Sequence, residues 1–179
     1  MRVLLDACVL YPTVLREILI GTAAHGAFRP VWSARILEEW ARATRKLGPE
    51  GEALARAEIA ALSGDWPEAA VAPRAGDLGR LWLPDPDDVH VLAAAIAGHA
   101  DTICTFNARD FPRATLAAEG LERHDPDQLL RALHERDPQP VEAAIADAHA
   151  RAERISGEAL SLRPFLKRAR LPRLARRMA

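Results

Sequence analysis

Apolar residues follow two rhythms along this 179-residue chain. Short apolar runs bounded by charged or turn-forming residues read as buried strands, and longer stretches with apolar positions three and four apart read as amphipathic helices. The runs from Arg2 to Asp6, Phe28 to Trp32 and Asp101 to Thr105 predict core strands, with a further short strand from Gly120 to His124. Helices are predicted from Pro12 to about Ile20, from an N-cap at Ser33 to about Lys46, and from Glu50 to Leu62. Two more are predicted from Asp85-Pro86-Asp87-Asp88 to Ala97, closed by Gly98, and from Pro126 to about Glu135.

Gly64 to Leu83 shows no clear period, and reads as an irregular connection with short strands at Ala69 to Ala72 and Leu81 to Leu83. Beyond Asp137-Pro138-Gln139-Pro140, an alanine-rich stretch from Val141 to Ile155 predicts another helix, and a tail containing proline and arginine runs from Arg163 to Arg177. Strands alternating with helices imply an α/β fold, three layers in the order α/β/α around a central parallel sheet. The expected division places this domain in residues 1–136 and a helical, basic C-terminal extension in residues 137–179.

In such sheets ligands bind beyond the carboxyl ends of the strands, where Asp6 and the loop from Phe106 to Pro112 fall. Four acids far apart in the chain, Asp6, Glu39, Asp88 and Asp110, are expected to approach one point there. A helix turns about 100° per residue, which puts Glu39 at the border of the apolar stripe of Ile36, Trp40 and Leu47 and sends Glu38 to the opposite side. The same reckoning sets Asp88 within the stripe of Val91, Leu92, Ala95 and Ile96, where a carboxyl is costly unless a metal ion or backbone donors satisfy it. Clustered carboxyls suit Mg²⁺ or Mn²⁺, because hard cations prefer oxygen ligands. Taken singly, Asp85, Asp87 and Asp88 read as an ordinary helix start, Asp6 as a strand-end cap, Glu39 as a surface charge and Asp110 as a turn residue. Their joint occurrence at one edge of the sheet carries the argument.

Composition narrows the alternatives. Hydrophobic residues at 49% and charged residues at 27% describe a chain able to bury a core, not a disordered one. Asp6 interrupts the first apolar run too early for a secretory signal, and no stretch approaches the roughly 20 apolar residues of a membrane span. The expectation is a cytoplasmic protein without a membrane partner. The net charge of −1 covers an asymmetry, because residues 136–179 hold 10 Lys and Arg against 5 Asp and Glu. That basic tail suits nucleic acid through counterion release. Cys8 and Cys104, in or beside apolar strand-like runs, read as buried thiols, and the tryptophans read as packing. The six histidines lack zinc-like spacing, so His90 and His99 stay outside the expected site. No glycine-rich phosphate loop or Ser/His/Asp signature is present.

Four segments together carry a resemblance: Val3-Leu4-Leu5-Asp6-Ala7-Cys8-Val9-Leu10, Ser33-Ala34-Arg35-Ile36-Leu37-Glu38-Glu39-Trp40, Asp85-Pro86-Asp87-Asp88 with its following apolar helix, and Thr102-Ile103-Cys104-Thr105-Phe106-Asn107-Ala108-Arg109-Asp110. In order and spacing they resemble a PIN domain over about residues 1 to 135, and specifically the VapC-type ribonuclease toxins of bacterial toxin–antitoxin pairs. The resemblance implies hydrolysis of RNA phosphodiesters by a water activated on Mg²⁺ or Mn²⁺. It assigns Asp6 and Asp88 to the principal ion, Glu39 to a second ion or to the water, and Asn107 with Asp110 to completing the ligand set. It also implies a cognate antitoxin as partner and a possible homodimer.

One position departs from the family pattern. Where the family usually has Thr-x-Asp, this chain has Thr105-Phe106-Asn107, with an acid only at Asp110. Asn107 adds no charge, which weakens the case for a tightly held second metal and motivates a rival reading, a catalytically weak PIN-like nucleic-acid-binding module. A DNA-directed or structure-specific nuclease is a further alternative, since nothing in the sequence reads a 2′-hydroxyl. A haloacid dehalogenase-type phosphatase is disfavoured, because the acid it needs two residues after Asp6 is here Cys8.

Overall fold

The computed structural model describes residues 1–178, Pro49 by its backbone alone. Five strands, β1 (Arg2–Leu5), β2 (Arg29–Ser33), β3 (Ala70–Val71), β4 (Thr102–Cys104) and β5 (Glu122–His124), form one sheet in the order β3-β2-β1-β4-β5. The sheet is all parallel and flanked by helices, as the alternation of patterns predicts. Register sets Leu4 beside Val31 on one side and Ile103 on the other, so β1 lies at the centre with fully buried side chains at Val3, Leu4 and Leu5.

The helices are α1 (Ala7–Leu10), α2 (Thr13–Ala24), α3 (Ala34–Ala43), α4 (Pro49–Asp65), α5 (Ala75–Arg80), α6 (Val89–Ala97), α7 (Arg113–Ala118), α8 (Pro126–Arg136), α9 (Pro138–Ser156), α10 (Leu162–Arg168) and α11 (Pro172–Arg177). The Ser33 hydroxyl accepts from the Ile36 N–H and starts α3 as its sequence position predicts. Asp125 and Gln128 form a reciprocal capping box at the start of α8. At the end of α6, a Cβ on Gly98 would lie 2.5 Å from Val31 Cγ1, so glycine alone lets that helix end approach β2.

Three local expectations change. Leu81 to Leu83 is not a strand, and the segment before it is α5 instead. The chain turns into the short α1 directly after Asp6, and α2 runs through Gly21 to Ala24, past the expected stop. Gly21 allows close packing there: a Cβ at this position would sit 3.0 Å from Ala144 Cβ of α9, a tight contact that α9 would have to ease.

Contacts divide the chain into two compact units, residues 1–11 with 29–123, and residues 12–28 with 124–178. The division expected after residue 136 falls between α8 and α9, inside the second unit. That unit is helical. Buried Asp127 of α8 accepts the backbone N–H groups of Arg173 and Leu174 at 2.8 and 2.9 Å, which ties down the start of α11. Arg177 reaches both His134 and Glu135, so part of the tail's positive charge is spent within this unit. Among the described residues, no helix is long and apolar enough to cross a membrane.

Candidate active site

β1 ends at Leu5, and the Asp6 N–H continues the ladder by donating to the Cys104 carbonyl at 3.2 Å. Asp6 occupies the N-cap position of α1 without a side-chain cap bond, so its carboxyl is available to the loop after β4. There the Thr105 hydroxyl donates to Asp6 Oδ2 at 2.6 Å and the Cys8 thiol donates to the same oxygen at 3.1 Å. Thr105 Oγ1 in turn accepts the Asn107 N–H at 2.9 Å, which ties the loop's backbone to the strand end. Burial first, and then the Asp6 charge, push the Cys8 thiol up to about 12, so it serves as a donor and not a nucleophile. Cys8 and Cys104 are both free thiols, as their apolar settings predict.

The second element is the turn from Leu83 to α6. Asp85 accepts the Asp87 N–H at 2.9 Å, Pro86 to Asp88 form one turn of 3₁₀ helix, and α6 follows. This start delivers Asp88 half-buried, with its Oδ2 accepting from Asn107 Nδ2 at 3.1 Å. Ligand atoms of Asp85, Asp88 and Asp110 lie within 4.8 Å of one another. Burial first, then the negative charges of Asp6, Asp85 and Asp110, raise the Asp88 carboxyl from 3.8 to about 6. The share of that rise owed to the neighbouring acids is a repulsion that a bound cation would relieve.

Glu39 falls outside this group of three. Its Oε1 lies 2.8 Å from His90 Nε2 and 3.2 Å from Arg35 Nε. Burial pushes its carboxyl up, but the pull of His90 and Arg35 prevails and holds it below the usual value. The close approach of His90 is off the line of a hydrogen bond, and neither ring nitrogen has a hydrogen-bond partner among the described residues. Arg35 also donates to the Asp87 carbonyl at 3.3 Å, so one arginine links α3 to the Asp85–Asp88 turn.

The sequence matches the PIN domain over residues 2–109. The chain belongs to the PIN domain family. PIN domains are generally metal-dependent nucleases that act on nucleic acids, and the acid cluster of this PIN domain offers the all-oxygen donor set that a hard divalent cation takes. No curated protein and no solved structure matches the chain.

Of the five residues expected in the PIN-domain site, Asp88, Asn107 and Asp110 meet directly or through the cluster, Asp6 acts on Asp88 through its charge, and Glu39 lies outside the group of three and contacts Arg35 and His90. Sequence reasoning passed over Asp85, Thr105, Arg35 and His90. Asp85 was masked by its second role as a cap, which it also performs. His90 gave a faint signal, being the one polar residue in the run from Val89 to Ala97.

Proposed function

We propose that this PIN domain is a metal-dependent endoribonuclease, the toxin of a VapBC-type pair, with Mg²⁺ or Mn²⁺ as its cofactor. The carrying observation is the convergence of Asp85, Asp88 and Asp110, whose ligand atoms lie within 4.8 Å of one another with the charge of Asp6 acting on Asp88. Asp6, Asp88 and Asp110 are the proposed metal ligands, with Asp85 added from its place in the cluster. A bound divalent ion would neutralise the scissile phosphate and lower the pKa of attacking water.

The chain's own residues supply positioning. Thr105 holds the Asp6 carboxyl, and Asn107 fixes one oxygen of Asp88 by donation, a task an aspartate at that position would not perform. Glu39 is proposed to orient the water, supported by its fixed place between Arg35 and His90. The cognate antitoxin, a possible homodimer and the cytoplasmic setting belong to the toxin reading and rest on the resemblance.

Asn107 favours one second reading, a nucleic-acid-binding module of low activity, because it subtracts a charge from the expected ligand set. The test is incubation of the purified protein with total cellular RNA in Mg²⁺, Mn²⁺ or EDTA, beside Asp6→Asn and Asp88→Asn, with new 5′ ends mapped and single-stranded DNA run in parallel. Discrete metal-dependent RNA cuts, lost in both variants, are the expected result. Cuts in DNA alone would transfer the activity to the other nucleic acid, and a folded protein that binds RNA in EDTA yet never cuts it would establish the binding module.

A further inference from the structure

A cavity of about 420 Å³ opens beside the acid cluster, a volume within the roughly 300–1,000 Å³ range of ligand sites. Leu78, Leu81, Trp82 and Leu83 give it apolar walls, and Arg35 and His90 are its basic members. It shares Pro86 and Val89 with the turn that carries Asp85 and Asp88, so whatever fills it lies next to the candidate catalytic acids.

Two features ask for an occupant. Trp82 is 68% exposed on the wall of this cavity, where an aromatic partner can stack on it. His90, which lines the cavity, is only 3% exposed, yet neither of its ring nitrogens has a hydrogen-bond partner among the described residues. An unpartnered buried nitrogen costs free energy that a bound polar edge recovers.

We infer that this cavity is a nucleobase subsite, in which one unpaired base of single-stranded RNA stacks on Trp82 and presents its polar edge to His90. A base has the required combination, two apolar faces and a hydrogen-bonding rim. Charge decides against the phosphate as occupant: Asp85, Asp87 and Asp88 adjoin in sequence the wall residues Pro86 and Val89, and Arg35 is already engaged by Glu39 and the Asp87 carbonyl. A neutral base enters without that repulsion. The inference rests on the ribonuclease reading and adds to it a base held in this cavity beside the cleaved bond.

The full chain is titrated with a short single-stranded RNA in Ca²⁺, the strand checked for integrity by gel, with tryptophan fluorescence and affinity as readouts. Wild type is compared with Trp82→Ala and Trp82→Phe, using the intact strand and strands with one abasic nucleotide moved along the sequence. The expected result is quenching that vanishes in both variants, an affinity loss of roughly 5- to 150-fold in Trp82→Ala, and partial recovery in Trp82→Phe. One abasic position should weaken wild type by a similar factor and leave Trp82→Ala nearly unaffected, which marks the pair as coupled. Equal affinity of wild type and Trp82→Ala, or no binding by wild type, would overturn the inference and leave the cavity to another occupant such as a protein segment. Cleavage of the same strand in Mn²⁺ is followed separately: cutting with Trp82-independent binding sinks the subsite alone, and Trp82-dependent binding without cutting sinks the nuclease alone.

Discussion

Thr105 donates its hydroxyl hydrogen to Asp6 across 99 residues of sequence, at 2.6 Å. The bond joins the ends of the two adjacent strands β1 and β4, and Asp6 is only 6% exposed, so little water stands ready to replace it. Thr105→Val keeps the shape and removes both the donor to Asp6 and the acceptor of the Asn107 N–H. A loss of about 1–3 kcal/mol in urea unfolding is expected, the cost of stranding buried polar groups. Wild-type stability in the valine variant would show that Asp6 is held by something else.

The Asp88 carboxyl yields a pH dependence. Its value rises from 3.8 to about 6 on folding, so the metal-free folded protein retains a proton that the unfolded chain releases. Stability from this group is therefore full below pH 3.8, declines as pH rises toward 6, and is level above that. In EDTA, Asp88→Asn should equal wild type near pH 4 and melt higher at pH 7. Mn²⁺ should raise the wild-type melting temperature and leave the variant nearly unmoved. Parallel pH profiles of the two proteins in EDTA would refute the repulsion.

Asn107 tests the same balance from the other side. Asn107→Asp replaces a donated hydrogen bond to Asp88 with a like charge at the same 3.1 Å. Without metal the variant should lose about 1 kcal/mol, a small figure because Asn107 is exposed and screened. With Mn²⁺ its melting temperature should rise more than that of wild type, and calorimetry should show tighter metal binding. A variant with unchanged stability in EDTA and unchanged Mn²⁺ affinity would remove Asn107 from the site.

In the helical unit, Asp127 is buried and accepts two backbone donors from the start of α11. Asp127→Ala strands both N–H groups and should cost about 1–3 kcal/mol in chemical denaturation. Trypsin should then cut between Arg163 and Arg177 well before it attacks the sheet. Equal digestion rates would mean that the apolar contacts of Leu171, Leu174 and Ala175 hold the segment without the aspartate.

Much of the local structure is legible because its causes are local. Ser33 caps α3, Asp125 and Gln128 cap α8, and Asp85-Pro86 opens the turn into α6, each through bonds spanning three residues or fewer. Asp6 is recognisable too, as the first acid after a run too apolar to face water. The strand misread at Leu81 to Leu83 has the opposite origin, since three apolar residues without a period suit a cavity wall as well as a sheet.

Chain-local chemistry thus determined most of the strands and helices and the parallel sheet they build. Tertiary structure alone decided which acids meet. Glu39 was expected from its helical angle and Asp110 from its place in the loop after β4, yet Glu39 faces His90 and Arg35 while Asp110 joins Asp85 and Asp88. The reason is electrostatic: a carboxyl's role depends on which charges stand within a few ångströms of it, and of these only Arg35 is a sequence neighbour of Glu39, while His90 lies 51 residues on and Asp110 stands 22 residues beyond Asp88.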